Sequence, residues 1–117
     1  MKSKHLLRLE SEAKRILSSV IQNELRKDVG LLTITDTDLT SDYSYLKVYY
    51  TVFDSKDKKK AYEGLNASKK YLRGALASRL SMKRIPELVF VYDDSYEKGE
   101  RIEQILREIK EKEELKK

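Results

Sequence analysis

A chain of 117 residues with 39% hydrophobic and 38% charged side chains has room for one core under an unusually ionised surface, since soluble domains carry roughly a quarter charged residues. It holds no cysteine and a single histidine, His5, which excludes thiolate chemistry, disulfides and cysteine-ligated zinc and leaves a serine triad only a histidine near the chain end. The formal net charge is +5, yet residues 58–84 contain nine Lys or Arg against one acid, Glu63, so this segment carries +8 and the remainder −3; a local patch of that kind points to a polyanionic partner.

From the N-terminus, Leu9, Ala13, Ile16, Leu17, Val20, Ile21 and Leu25 fall on one helical face, predicting a first helix over about residues 4–27 with Gly30 as its stop. No apolar run reaches the length of a signal-peptide core or a membrane span, so a cytoplasmic protein without a membrane partner is expected. The period then changes. Two strands, about 31–39 and 43–53, form a hairpin around Thr40, Ser41 and Asp42. In the second, Leu46, Val48, Tyr50 and Val52 should face the core, with Tyr45, Lys47, Tyr49, Thr51 and Phe53 on the other side.

After a polar loop, in which Ser55 or Asp57 is the expected cap, Ala61, Leu65, Ser68, Leu72, Ala75, Leu76 and Leu80 predict a long second helix ending near Arg84, before Pro86. Gly64 and Gly74 interrupt it and suggest a bend or a close helix contact. Residues 87–93 read as a third strand, apolar on both faces and therefore expected to have neighbours on both sides. Asp93, Asp94 and Ser95 offer a cap, with Asp94 and Glu97 at capping-box spacing, for a third helix marked by Ile102, Ile105, Leu106 and Ile109; Gly99 argues for a later start. Residues 110–117 are a charged extension, expected to fray, with Glu103/Arg107, Glu108/Lys112 and Glu113/Lys117 at supporting i,i+4 spacing.

The order α-β-β-α-β-α implies a two-layer α+β domain, a three-stranded mixed sheet with helices on one face, occupying residues 1–109. The basic segment is the strongest functional signal. On a straight wheel Lys59, Asn66, Lys70 and Arg73 fall within about 60° of one another, a stripe suited to phosphates; a solvated charged face is the competing reading. The strand face bearing Tyr45, Lys47 and Tyr49 alternates aromatic and basic groups, as base-stacking platforms do, although tyrosine is also simply a good strand former. Asp36, Asp38, Asp42, Asp54 and Asp57 are scattered over strands and turns, as local backbone acceptors are, so no metal site is expected. His5 is expected to be exposed and idle.

Three segments resemble one family. RLSMKRIPELVFVYDDSYEKGERIEQIL, residues 79–106, is similar to the signature of the ribosome-binding factor A family: an R-L stretch, a basic residue before P-E-L, an alternating strand, then D-D/N-S, an acid, a Gly and I-x-x-I/L-L. TITDTDLTSDYSYLKVYYTVF, residues 33–53, resembles its hairpin, with Lys47, Val48 and Tyr49 on the A-K-V-Y motif, and YLRGALASRL, residues 71–80, resembles its F-I-R-x-x-L-x-x-R-L helix, which places Arg73 and Arg79 on matching positions. Two steps depart. Lys27-Asp28-Val29-Gly30 stands where the family has an acidic-Pro-Arg step, and Ser68-Lys69-Lys70 stands where it has Ala-x-Gly at the kink of the second helix, which leaves the sharpness of that kink open and adds two lysines.

The resemblance implies a type II KH-like fold in which a kinked helix pair replaces the GxxG loop. It implies a non-enzymatic assembly factor that binds free small (30S) ribosomal subunits, supports late 16S rRNA maturation including 5′-end processing, and matters most in cold growth. Lys59, Asn66, Lys69, Lys70, Arg73, Arg79, Lys83 and Arg84 are the expected RNA-binding residues, in a monomer without catalytic residues, metal, cofactor or small-molecule substrate. A general single-stranded RNA-binding KH-like module and a protein–protein adaptor using the charged C-terminal helix are the alternatives.

Overall fold

The computed structural model describes residues 1–115. Helix α1 spans Lys4–Glu24 and opens on Ser3, whose Oγ accepts the Leu6 N–H at 3.1 Å. Its apolar row, Leu6 to Ile21, is buried. The helix stops before residue 27 because Leu25 leaves helical geometry (φ −114°, ψ 8°) and a separate turn, α2 (Arg26–Val29), follows; this redirection lets Leu25 and Val29 both enter the core. Gly30 ends α2 with φ 74°, a conformation that costs other residues strain.

The sheet has the order β1-β2-β3, with β1 (Leu32–Leu39) antiparallel and β3 (Glu87–Tyr92) parallel to a central β2 (Tyr45–Val52). The third strand is therefore an edge strand, not one flanked on both sides. Its outer-face Val89 owes its apolar character to no covering layer and is exposed. Alternation in β2 follows the expectation: Leu46, Val48, Tyr50 and Val52 are buried, while Tyr45, Lys47 and Phe53 are exposed. In β1 the register jumps between Ile34, opposite Tyr50, and Asp36, opposite Tyr49. This bulge at Thr35 reverses the parity, so Leu32 and Ile34 face inward before it and Thr37 and Leu39 after it.

What the sequence presents as one long helix is three elements: a 3-10 turn at Ser55–Asp57, α3 (Lys58–Ala67) and α4 (Lys69–Arg79). Asp54, not Ser55 or Asp57, is the side-chain cap, accepting the Lys56 N–H at 3.2 Å. The expected kink is a full break at Ser68 (φ −96°, ψ 5°), achieved without a glycine. The second helix ends at Arg79, short of residue 84, because Leu80 turns extended (φ −106°, ψ 137°) and drops into the core. Gly64 explains itself: a Cβ there would stand 2.4 Å from the Asp28 carbonyl oxygen, so α3 lies backbone-close against α2, whereas a Cβ at Gly74 would meet nothing within 4 Å.

Helices α1, α3 and α4 cover one face of the sheet and enclose a single core that includes Leu17, Leu46, Leu65, Leu72, Leu76 and Leu88. Helix α5 runs over Ser95–Leu115, beginning at Ser95 and not beyond residue 99. Asp93, one of the expected capping residues, meets the helix's first residue, its Oδ1 accepting the Ser95 N–H at 3.0 Å. The α5 row Ile102, Ile105, Leu106 and Ile109 is exposed, so these four residues add nothing to the core, and the molecule measures 66 × 37 × 18 Å. Residues 116 and 117, including the Lys117 of the expected Glu113/Lys117 pair, lie outside the described residues. Among the described residues no helix is long and apolar enough to cross a membrane.

Candidate nucleic-acid interface

The basic segment reaches the surface in three pieces: α3, α4 and the arc of residues 81–86 that links α4 to β3. The single wheel that groups Lys59, Asn66, Lys70 and Arg73 assumes an unbroken helix, and the break at Ser68 removes that assumption. There the Ser68 N–H is shared between the carbonyls of Gly64 and Leu65, both at 3.1 Å, and no side chain caps the first turn of α4. The free amides of that turn, next to Lys69 and Lys70, add to the local positive potential.

Of the eight predicted residues, Lys59, Lys70, Arg79, Lys83 and Arg84 are exposed and Asn66, Lys69 and Arg73 half-buried. Lys83 and Arg84 stand on the arc, not on a helix. Asn66 points its amide back, Nδ2 donating to the Tyr62 carbonyl at 2.8 Å. Arg73 donates Nη2 to the Ile85 carbonyl at 3.0 Å and Nε to the Pro86 carbonyl at 3.1 Å, with Nη1 3.5 Å from a Glu87 carboxylate oxygen. Lys59, Lys69, Lys70, Arg79, Lys83 and Arg84 form no ion pair among the described residues.

Lys58, which opens the basic segment, is different. Its ammonium lies 3.2 Å from Glu97 and 4.6 Å from the centre of the Tyr92 ring. The Glu97 hydrogen bond raises the Lys58 pKa, and Glu97 in turn is lowered by the hydroxyl of Tyr92, which donates to it at 2.7 Å, and by Lys58. This charge is neutralised within the protein.

Two basic residues that the wheel does not gather, Lys56 and Lys60, share an open depression with Lys59, Asp28, Glu63 and Gly64. The depression arises from the close approach of α2 and α3 at Gly64, and the sequence signal for it is that glycine followed after four residues by a helix-breaking serine.

The outer sheet face is less suited to a polyanion. Cross-strand pairing sets Asp38 opposite Lys47, Asp36 opposite Tyr49 and Glu87 opposite Tyr45, so carboxylates flank the Tyr45-Lys47-Tyr49 row on both sides. Three of the aspartates serve the backbone locally, Asp42 Oδ1 accepting the Ser44 N–H at 3.0 Å, Asp36 Oδ1 the Thr37 N–H at 2.9 Å and Asp54 the Lys56 N–H, whereas Asp38 pairs with the ammonium of Lys2. No group of three or more potential ligands forms a metal cradle among the described residues. His5 is exposed, as expected, and its ring meets Tyr43 edge-on with ring centres 6.4 Å apart.

Residues 5–106 match the family model described as Ribosome-binding factor A. The Ribosome-binding factor A of Nitrosomonas eutropha is 38% identical over 104 residues, covering 87% of this chain and 89% of the relative. That of Brevibacillus brevis is 39% identical over 111 residues, covering 93% and 92%. In structure the chain is similar to the crystal structure of ribosome-binding factor A from Thermus thermophilus, with TM-score 0.68 and 33% identity over 74% of this chain and 94% of that one. A homology model of the Thermus thermophilus factor, fitted into a cryo-electron microscopy map of a 30S complex, matches with TM-score 0.64 and 33% identity, over 74% and 93%.

Proposed function

Because the chain belongs to the ribosome-binding factor A family, we propose that it binds the free small (30S) ribosomal subunit through 16S rRNA and supports late rRNA maturation, 5′-end processing included, without catalysing a reaction. It acts in the cytoplasm as a monomer, and release accompanies maturation. The contact surface is α3, α4 and the arc after them, with Lys59, Asn66, Lys69, Lys70, Arg79, Lys83 and Arg84 towards the phosphates and Arg73 behind them.

The observation that carries this reading is a helix pair and arc holding unpaired cations, with Glu63 the one acid among residues 58–84, on the fold of a family named for ribosome binding. Each Lys or Arg that neutralises a phosphate releases counterions, which gives affinity without reading sequence. Such a surface recognises the shape and backbone of folded RNA.

Sedimentation of cell extract tests the proposal. Co-migration with free 30S particles, lost when Lys69 and Lys70 are both reversed to glutamate in a chain that still unfolds cooperatively, is the expected result. Co-migration with translating ribosomes, or with neither subunit, overturns it.

A further inference from the structure

The arc of residues 81–86 has no ladder of its own, yet both its ends are fixed. Leu80 is buried at one end, and the Met82 N–H turns back to the Leu80 carbonyl at 3.1 Å. At the other end Pro86 is buried and Ile85 packs against the core. The carbonyls of Ile85 and Pro86 both take hydrogens from the guanidinium of Arg73, which also faces the Glu87 carboxylate. A planar fork of donors suits two successive carbonyls, and the point charge of a lysine cannot reproduce it. Lys83 and Arg84, exposed and without an ion pair among the described residues, are therefore held on a short span between two anchored points.

We infer that Arg73 is a positioning residue for the polyanion interface: it clamps residues 85 and 86 from α4, so that Lys83 and Arg84 meet phosphates in a fixed geometry, and makes no phosphate contact itself. The inference rests on the reading of the basic surface as the rRNA interface. Its physical content is preorganisation, since cations on a span that is already ordered lose less freedom on binding. The wheel, by contrast, puts Arg73 among the phosphate ligands, and the two roles lead to different measurements.

Two measurements on the full chain separate them. Lys83 and Arg84 are themselves trypsin sites. In Arg73→Gln, cleavage at these two positions should accelerate about 10-fold over the native chain, through local opening of the arc, with the urea midpoint followed alongside. Arg73→Lys, which keeps the charge and loses the fork, should behave similarly and serves if the glutamine variant fails to fold.

The second measurement is the affinity for purified 30S subunits of Arg73→Gln, of Lys83→Ala with Arg84→Ala, and of all three together. The clamp predicts that Arg73→Gln weakens binding in the native background and adds nothing once Lys83 and Arg84 are gone, the non-additivity of groups acting as a unit. An unchanged cleavage rate overturns the clamp. Loss of the same factor of affinity in both backgrounds also overturns it, because that is the behaviour of a direct phosphate ligand. A native chain that does not bind subunits instead removes the proposed function and, with it, the ligand of this inference, while cleavage still decides the clamp.

Discussion

Thr35 Oγ1 donates to Asp93 Oδ2 at 2.6 Å, across 58 residues of sequence, and so joins the bulge of β1 to the end of β3 past the central strand. The same carboxylate accepts the Ser95 N–H, and these bonds, Ser95 first, hold Asp93 below its ordinary pKa of 3.8. A carboxylate lowered in the folded state contributes stability above its unfolded value and loses it as pH falls through the folded one. Thr35→Val should cost about 1 kcal/mol at neutral pH, and the difference between variant and native should narrow below pH 3.8. Urea unfolding at pH 7 and at acid pH checks both.

Gly64 and Gly74 should respond oppositely to alanine. At Gly64 the new methyl would meet the Asp28 carbonyl, and separating α3 from α2 should cost about 1–3 kcal/mol. At Gly74, with nothing within 4 Å, the substitution should stabilise by about 0.5–1 kcal/mol through helix propensity. Urea midpoints of the two variants give the comparison.

Glu10 is a buried carboxylate that accepts the Leu39 N–H at 2.6 Å and also meets the ammonium of Lys2. Glu10→Ala leaves the Leu39 N–H without its partner beside a buried side chain, and should cost about 2 kcal/mol. Glu10→Gln retains an acceptor and should cost less than half as much. Faster amide exchange at Leu39 in the alanine variant, read by NMR, locates the defect.

Two lysines of the basic segment should differ in their effect on subunit binding. Lys70 has no ion pair among the described residues, and its replacement by alanine should lower the slope of log K against log salt by about 1. Lys58 is engaged with Glu97 and Tyr92, and Lys58→Ala should leave the slope unchanged. Affinity measured over a salt series separates the two.

Much of the fold was legible because period reports burial directly. The rows of α1 and β2 each face one way throughout, so Leu17 or Val48 could be assigned to the core on spacing alone. The bulge at Thr35 left only a single mark, Leu39 standing out of phase with Leu32 and Ile34 in LTITDTDL, and the polar residues between them hide where the parity changes. The period did not show the break at Ser68, because Leu65 and Leu72 are both buried as they would be in an unbroken helix; only the family resemblance set a kink there. Leu80 continued the helical pattern in sequence, although extended backbone is what buries it. The cations of the candidate site were legible as charge. The partners of Arg73 were not, because main-chain carbonyls of remote residues carry no side-chain signature.

The parallel pairing of β2 with β3 has a consequence for the order of folding. β1 and β2 are joined by a tight hairpin, but β3 reaches β2 only after α3, α4 and the arc have crossed over, so its docking closes a long loop and comes late. The positive charge is concentrated in that crossover. A polyanion that gripped the assembled crossover, as proposed above, would therefore select chains whose last strand is already in place and draw the folding equilibrium towards them by mass action. On the proposed reading of that surface, binding and completion of the sheet would be linked equilibria, each favouring the other.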